Sequence, residues 1–147
     1  MATMQLEIIT AERVVYSDEV EGVLAPGIEG DLGILPHHAA LMTVLRPGEL
    51  MSRKDGVESY LAVTGGFLEV MDNKVSILAD AAEHSEEIDE ERAQAAVERA
   101  EERISKRTAD GNLERALTQL RRAQARVVVA RRRRARPNSS GERPRGS

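Results

Sequence analysis

Cysteine and tryptophan are absent from this chain of 147 residues, and its aromatic side chains are two tyrosines and one phenylalanine. Disulfides and thiolate metal sites are therefore excluded. With so few rings there is no platform on which nucleotide bases could stack, which argues against a reader of single-stranded nucleic acid. Any core must be assembled from Val, Leu, Ile, Ala and Met. Long apolar runs are missing too: no stretch approaches the roughly 18 residues that a membrane-spanning helix needs. The start, Met-Ala-Thr-Met-Gln-Leu, has no basic region followed by an apolar one, so neither export nor membrane insertion is expected. There is no Gly-x-x-x-x-Gly-Lys-Ser/Thr loop, and ATP hydrolysis of the P-loop kind is not expected.

At this length, with 41% hydrophobic residues, the chain can build a modest core, enough for one small domain and a helical appendage. Charge divides it. Residues 1–91 carry 19 acidic and 5 basic side chains, a balance of −14, whereas residues 92–147 carry 6 acidic and 16 basic, a balance of +10. The C-terminal part is suited to an acidic surface, on a partner protein, a nucleic acid, an anionic lipid or the chain's own N-terminal half.

From Met4 to Asp80, short apolar or β-branched runs alternate with turn residues: Leu6 to Ile9, Arg13 to Tyr16, Val20 to Ala25, Leu41 to Leu45, Ser59 to Thr64, Phe67 to Met71 and Val75 to Leu78. This pattern predicts an antiparallel β-sandwich or barrel over residues 1–82. Asp55-Gly56 and Asp72-Asn73 are placed for hairpin turns, and Pro47-Gly48 predicts a further reversal. Gly65-Gly66 inside a strand pattern predicts a bulge or a close backbone contact.

After Ala82 the period changes to about 3.6 residues and Glu, Arg and Ala dominate. A regulatory helical hairpin is expected over 83–136. Its first helix runs from Asp89, as N-cap, to about Lys106, with Glu90 and Glu91 at the positive end of the dipole and Arg103, Lys106 and Arg107 at the negative end. Ala109 to Asn112 returns the chain, and the second helix ends by Pro137. The facing seams are Ile88, Ala93, Ala96, Val97, Ala100 and Ile104 on one helix, and Leu113, Ala116, Leu117, Leu120, Ala123 and Val127 on the other. Alanines bury little area, so such a hairpin should be detachable. Residues 137–147, rich in Pro, Gly and Ser, are expected to be a disordered tail. The fold class is thus α+β, a sandwich followed by an antiparallel helix pair.

Arg92, Arg99 and Arg103 share one helix face, and Arg115, Arg122 and Arg126 repeat the same spacing on the other helix. Guanidinium forks gathered this way suit phosphate oxygens. A solvated face is the plainer reading, with Asp89 only a cap. The run Arg131 to Arg136 reads either as a solvated helix end or as a nonspecific phosphate contact. His37 and His38 point to opposite sides of an extended segment, and with His84 the only other histidine, a surface or hydrogen-bonding role is expected in place of a metal site. Glu86-Glu87 and Glu90-Glu91 fit helix-start electrostatics, and no general acid, base or other catalytic residue is assigned.

The segment Pro26-Gly-Ile-Glu-Gly-Asp-Leu-Gly-Ile-Leu-Pro-His-His-Ala-Ala-Leu41 places three glycines and two prolines at fixed intervals. Gly27, Gly30 and Gly33 can take the positive φ values that tight reversals need, and they suit turns between short strands. In order and spacing with Gly65-Gly66-Phe67-Leu-Glu-Val70, Ile77-Leu-Ala-Asp80 and Ile88-Asp-Glu-Glu-Arg-Ala93, it closely resembles the epsilon subunit of bacterial F-type ATP synthases, from about Met4 to Ala130. The resemblance implies a ten-stranded sandwich that joins the gamma subunit and the c-ring as part of the central stalk, on the cytoplasmic face of the bacterial plasma membrane and held there only through the complex. It implies a non-catalytic subunit that requires no cofactor. It carries ATP binding, as a regulatory ligand, to Ile88, Asp89, Arg92 and Ala93, with Glu83, Arg99, Arg122 and Arg126 as companions. It carries the c-ring contact to Glu29, Gly30, Asp31, Leu32 and Gly33. An extended hairpin would meet an acidic loop of the beta subunits in the alpha/beta head, through Arg115, Arg122, Arg126, Arg131, Arg132 and Arg133, and inhibit hydrolysis. The competing class is a small adaptor or nucleic-acid-binding protein whose basic helix docks on phosphates. The resemblance speaks against a nucleic-acid partner.

Overall fold

The computed structural model describes residues 2–106 and 113–135. Eight strands come first: β1 (Met4–Ile9), β2 (Val14–Val20), β3 (Gly22–Gly27), β4 (Gly30–Ile34), β5 (Leu41–Lys54), β6 (Val57–Met71), β7 (Lys74–Ala79) and β8 (Ala82–His84). A 3-10 turn, Ser85–Glu87, then leads into α1 (Glu90–Lys106) and α2 (Leu113–Ala135). The expected tail, the return at 109–112 and Arg107 lie outside the described residues.

The strands run in the order β2-β1-β7-β6-β5-β3-β4, with β8 added to β6. All pairings are antiparallel except β1 with β7, which is parallel. The resemblance implied ten strands, and the described residues form eight because two of them serve both layers of the sandwich. β5 and β6 pair from Leu41↔Val70 to Lys54↔Val57, and both bend where the ladder skips Arg46 and Gly65. Beyond the bend β6 leaves β8 and takes up β7. Pro47-Gly48 is therefore no reversal. It sits just past this bend inside a continuous strand, where the proline's missing N–H and the glycine's lack of a side chain serve a corner as well as they would a turn. Gly48 is required there, since a Cβ would lie 2.8 Å from the Pro26 side chain. Val20 to Ala25 likewise divides between two strands, and β4 lies within the 26–41 segment.

The hairpin signals at Asp55-Gly56 and Asp72-Asn73 hold. Both residues of each pair have positive φ, 52° and 76° at the first and 51° and 62° at the second, as a type I′ turn demands. Gly66 confirms the close-contact reading of its motif: φ is 134° and a Cβ would fall 2.1 Å from the Leu78 carbonyl oxygen. In the 26–41 segment only one of the three glycines uses the positive φ open to it. Gly30 has φ 136°, whereas Gly27 is needed because a Cβ would meet the Gly30 carbonyl at 2.6 Å, and Gly33 meets neither condition.

Leu6, Ile8, Leu50, Leu61, Val63, Leu68, Val75 and Ile77 are fully buried between the layers. Strand alternation sends their neighbours Tyr60 and Ala62 to the outer face of β6. There they join Ile88, Ala93, Val97, Ala123, Val127, Val129 and Ala130 in a second, smaller cluster. α2 lies over β5 and β6, and α1 packs on α2. The expected helix seams are right as far as they go, but α2 has a second buried side, including Ala125 and Val129, turned to the sheet. Leu113 is exposed.

Candidate functional site

The helical hairpin begins as its residue types require. Asp89 accepts the Arg92 N–H at 3.2 Å, capping the first turn of α1. Just upstream Glu87 accepts the His84 N–H at 3.0 Å and pairs with Arg13 at 3.7 Å, so the acidic pairs serve local structure. His84 donates through Nε2 to the Val15 carbonyl at 3.2 Å and lies near the Tyr16 ring, while His38 bonds the Ala39 carbonyl through Nδ1. No cluster of three or more His, Asp or Glu is arranged for a metal among the described residues.

The residues carried over as ATP ligands separate into three groups. Ile88 and Ala93 are buried in the helix cluster, where they set packing and offer no polar contact to a ligand through their side chains. Arg126 is clamped by Glu83 through two hydrogen bonds, Nε to Oε1 at 2.7 Å and Nη2 to Oε2 at 3.4 Å, and Arg122 reaches Asp80 at 3.5 Å. Arg92 and Arg99 are exposed on α1 and make no ion pair among the described residues.

Of the other α2 arginines, Arg131 and Arg132 diverge. Consecutive helical residues differ by about 100° in direction, so one faces the partner helix and the other the sheet. Arg131 donates to Glu90 and Gln94 of α1, both at 3.3 Å. Arg132 donates through Nε and Nη2 to the two oxygens of Glu49 at 2.7 and 2.9 Å, with its guanidinium 4.7 Å from the centre of the Tyr60 ring. The Glu49 bonds push the Arg132 pKa further up, against the loss of solvent that acts the other way. Tyr60 in turn donates its hydroxyl to Glu58 at 2.5 Å. Arg115 is exposed, and the side chain of Arg133 lies outside the described residues.

In the folded hairpin, four arginines of α2 meet the chain's own acidic half. Arg122, Arg126, Arg131 and Arg132 are spent on carboxylates at Asp80, Glu83, Glu90 and Glu49, all in the acidic part of the chain. Spacing on a helix reveals which arginines share a face. It carries no information on partners such as Glu49, 83 residues away from Arg132, or on the aromatic seat at Tyr60.

Beside this seat, where Pro26, Asp31 and Arg46 line one pocket with Glu49, Tyr60 and Arg132, Pro26↔Asp31 and Gly27↔Gly30 close the β3–β4 hairpin around Ile28 and Glu29. Arg46 donates to Asp31 at 2.7 Å and to the Gly27 carbonyl, tying this turn to the β5 bend. Asp31 is thus engaged within the chain, Leu32 and Gly33 lie in β4, and Glu29 is the exposed carboxylate at the tip without an ion pair among the described residues. On the outer surface of the other layer, Val44, Phe67 and Leu78 are cross-strand neighbours, and all three are exposed, Phe67 at 55% and Leu78 at 56%. No described helix is long and apolar enough to cross a membrane.

Residues 3–85 match the family described as ATP synthase, Delta/Epsilon chain, beta-sandwich domain, and residues 86–131 match its long alpha-helix domain. The ATP synthase epsilon chain of Herpetosiphon aurantiacus is 53% identical over 90% of this chain and 98% of its own length. That of Dehalococcoides mccartyi is 52% identical over 93% and 99%. Among solved structures, a chain of the Euglena gracilis mitochondrial ATP synthase, in an assembly of OSCP, F1 and c-ring, superposes with a TM-score of 0.77 at 23% identity, covering 88% of this chain and 82% of that one. A chain of the Tetrahymena thermophila central stalk and c-ring gives 0.53 at 19% identity, over 88% and 95%, and both share the fold. A sandwich and a helix pair matched in succession, with relatives aligned over nearly their whole length, place this chain in the epsilon-chain family of ATP synthase subunits.

Proposed function

We propose that this chain is a non-catalytic rotor subunit of a bacterial proton-translocating F-type ATP synthase, peripheral to the cytoplasmic face of the plasma membrane. Its sandwich joins the gamma subunit and the c-ring, and its hairpin restrains ATP hydrolysis. The observation that carries the rotor part is the uncovered apolar row Val44, Phe67 and Leu78, set on a rigid sheet. Such a surface favours a packed partner that tolerates salt, since burial of apolar area is not screened. Phe67→Glu should abolish association with gamma at moderate salt, and normal association would remove this face from the interface. Glu29, at the hairpin tip, is the carboxylate best placed for a basic loop of the c-ring.

The regulatory part rests on how the hairpin is attached. Alanines, valines and edge ion pairs hold it, a combination that permits departure from the sheet. In the extended state the α2 arginines would exchange Asp80, Glu83 and Glu49 for the acidic loop of the beta subunits. Removal of residues 88–147, which keeps β8 on the sheet, should preserve assembly and raise hydrolysis by the complex. Unchanged hydrolysis would sink the inhibitory role.

ATP is the regulatory ligand proposed for the folded hairpin. Arg92 and Arg99 are without ion pairs among the described residues, and Arg126 would have to be taken from Glu83. A ligand shifts such a balance only through its preference for one state. Calorimetric titration should show saturable ATP binding that disappears in the Arg92→Ala, Arg126→Ala variant. Absence of binding at millimolar ATP would leave the rotor role intact and end the sensing role.

A further inference from the structure

The most C-terminal side-chain contact described is also the best defined. Arg132 makes a two-point bond to Glu49, whose side chain is only 20% exposed, and stacks over Tyr60. Tyr60 is itself held by Glu58, which Arg53 holds from the other side at 3.0 Å. The guanidinium therefore enters a seat already arranged by the sheet, formed where β5 and β6 pair as Met51↔Tyr60 and Leu50↔Leu61. A planar fork and a ring face select Arg over Lys at such a place. None of these sheet residues belongs to the Glu83–Arg126 region of the hairpin.

We propose that Glu49, Tyr60 and Arg132 form a second clasp, independent of the Glu83–Arg126 pair, that fastens the end of α2 to the sandwich and sets how often the hairpin leaves it. Its regulatory weight rests on the inhibitory reading above. Two such two-point attachments on one helix, beside the longer Arg122–Asp80 pair, mean that loss of one leaves α2 anchored by the rest. A ligand that opens only the Glu83–Arg126 pair would not by itself free the helix end. The clasp also occupies, in the folded state, the same guanidinium that an acidic partner would need, so docking on the sheet and docking on a partner exclude each other.

Amide hydrogen exchange on the full chain tests this, because it registers rare openings. Arg132→Ala should speed exchange at Val127, Val129 and Ala130 by roughly threefold to tenfold, the range expected for one partly exposed ion pair with a cation–π contact. Amides of Leu6 and Ile77 in the sandwich should not change. Alanine is the better helix former, so a rise cannot come from weakened helix propensity. Glu49→Gln should give the same rise, and the double variant no more than either alone, whereas Arg126→Ala should add to Arg132→Ala. Unchanged exchange in Arg132→Ala, or additivity between Glu49→Gln and Arg132→Ala, would overturn the clasp. If exchange rises as stated while hydrolysis by the complex ignores removal of the hairpin, the clasp stands and the inhibitory reading falls.

Discussion

The sandwich and the hairpin use different side chains for the same task of holding elements together. Between the sheets, fully buried Leu6, Ile8, Leu50, Leu61, Leu68 and Ile77 interlock, and each removes a large apolar surface from water. Between the helices and the sheet, the buried residues are largely Ala and Val, and arginine–carboxylate pairs close the edges. Surface pairs contribute about 0–1 kcal/mol each, so the second interface is weak by construction. It is also specific, because two-point bonds at Arg126 and Arg132 fix one seating of α2. A permanent platform therefore carries an element held firmly in place but lightly bound.

If that contrast is right, damage to the sandwich must be global. Gly66→Ala should cost about 3 kcal/mol or more, since it combines a positive φ with a Cβ driven into the Leu78 carbonyl. Leu61→Ala should cost about 2–5 kcal/mol. Both are read from urea unfolding, and a loss confined to helical signal would break the comparison. In the hairpin, Val129→Ala should cost about 1.5 kcal/mol for two methyl-sized groups. Here the loss should appear as faster exchange in α1 and α2 with the sandwich untouched. Asp89→Ala should weaken the start of α1 by about 1 kcal/mol, visible as reduced helicity by circular dichroism, through loss of the Arg92 N–H acceptor.

Much of this contrast could be read from the chain before its structure. Alternation, the Asp-Gly and Asp-Asn turns and the change of period after Ala82 located the sheet and the helices because each is a local signal. The Pro47-Gly48 corner was misjudged because reversal and bend ask for the same residue types. Only the ladder from Leu41↔Val70 to Lys54↔Val57 tells them apart. At the candidate site the arginine faces were legible, and so was the acidic half as their counterpart. Which carboxylate each arginine takes was not, since Glu49 and Tyr60 reach Arg132 only after α2 lies on the sheet.

The smallest effect expected concerns the sheet side of that seat and sharpens the comparison where the two regions meet. The Tyr60 hydroxyl, and after it Arg53, hold the Glu58 carboxyl below the ordinary carboxylate range. A folded pKa lower than the unfolded one gives stability that is present above the unfolded value and lost as pH falls through the folded one. Tyr60→Phe keeps the ring under Arg132 and removes the hydroxyl. Glu58 should then titrate at higher pH, measured at its carboxyl carbon by NMR, and acid sensitivity from this group should shrink. If the ring alone seats the guanidinium, exchange in α2 stays near the wild-type rate in this variant. If exchange instead rises as far as in Arg132→Ala, the hydroxyl bond to Glu58 is what orients the ring, and the platform's own hydrogen bonding reaches the removable helix.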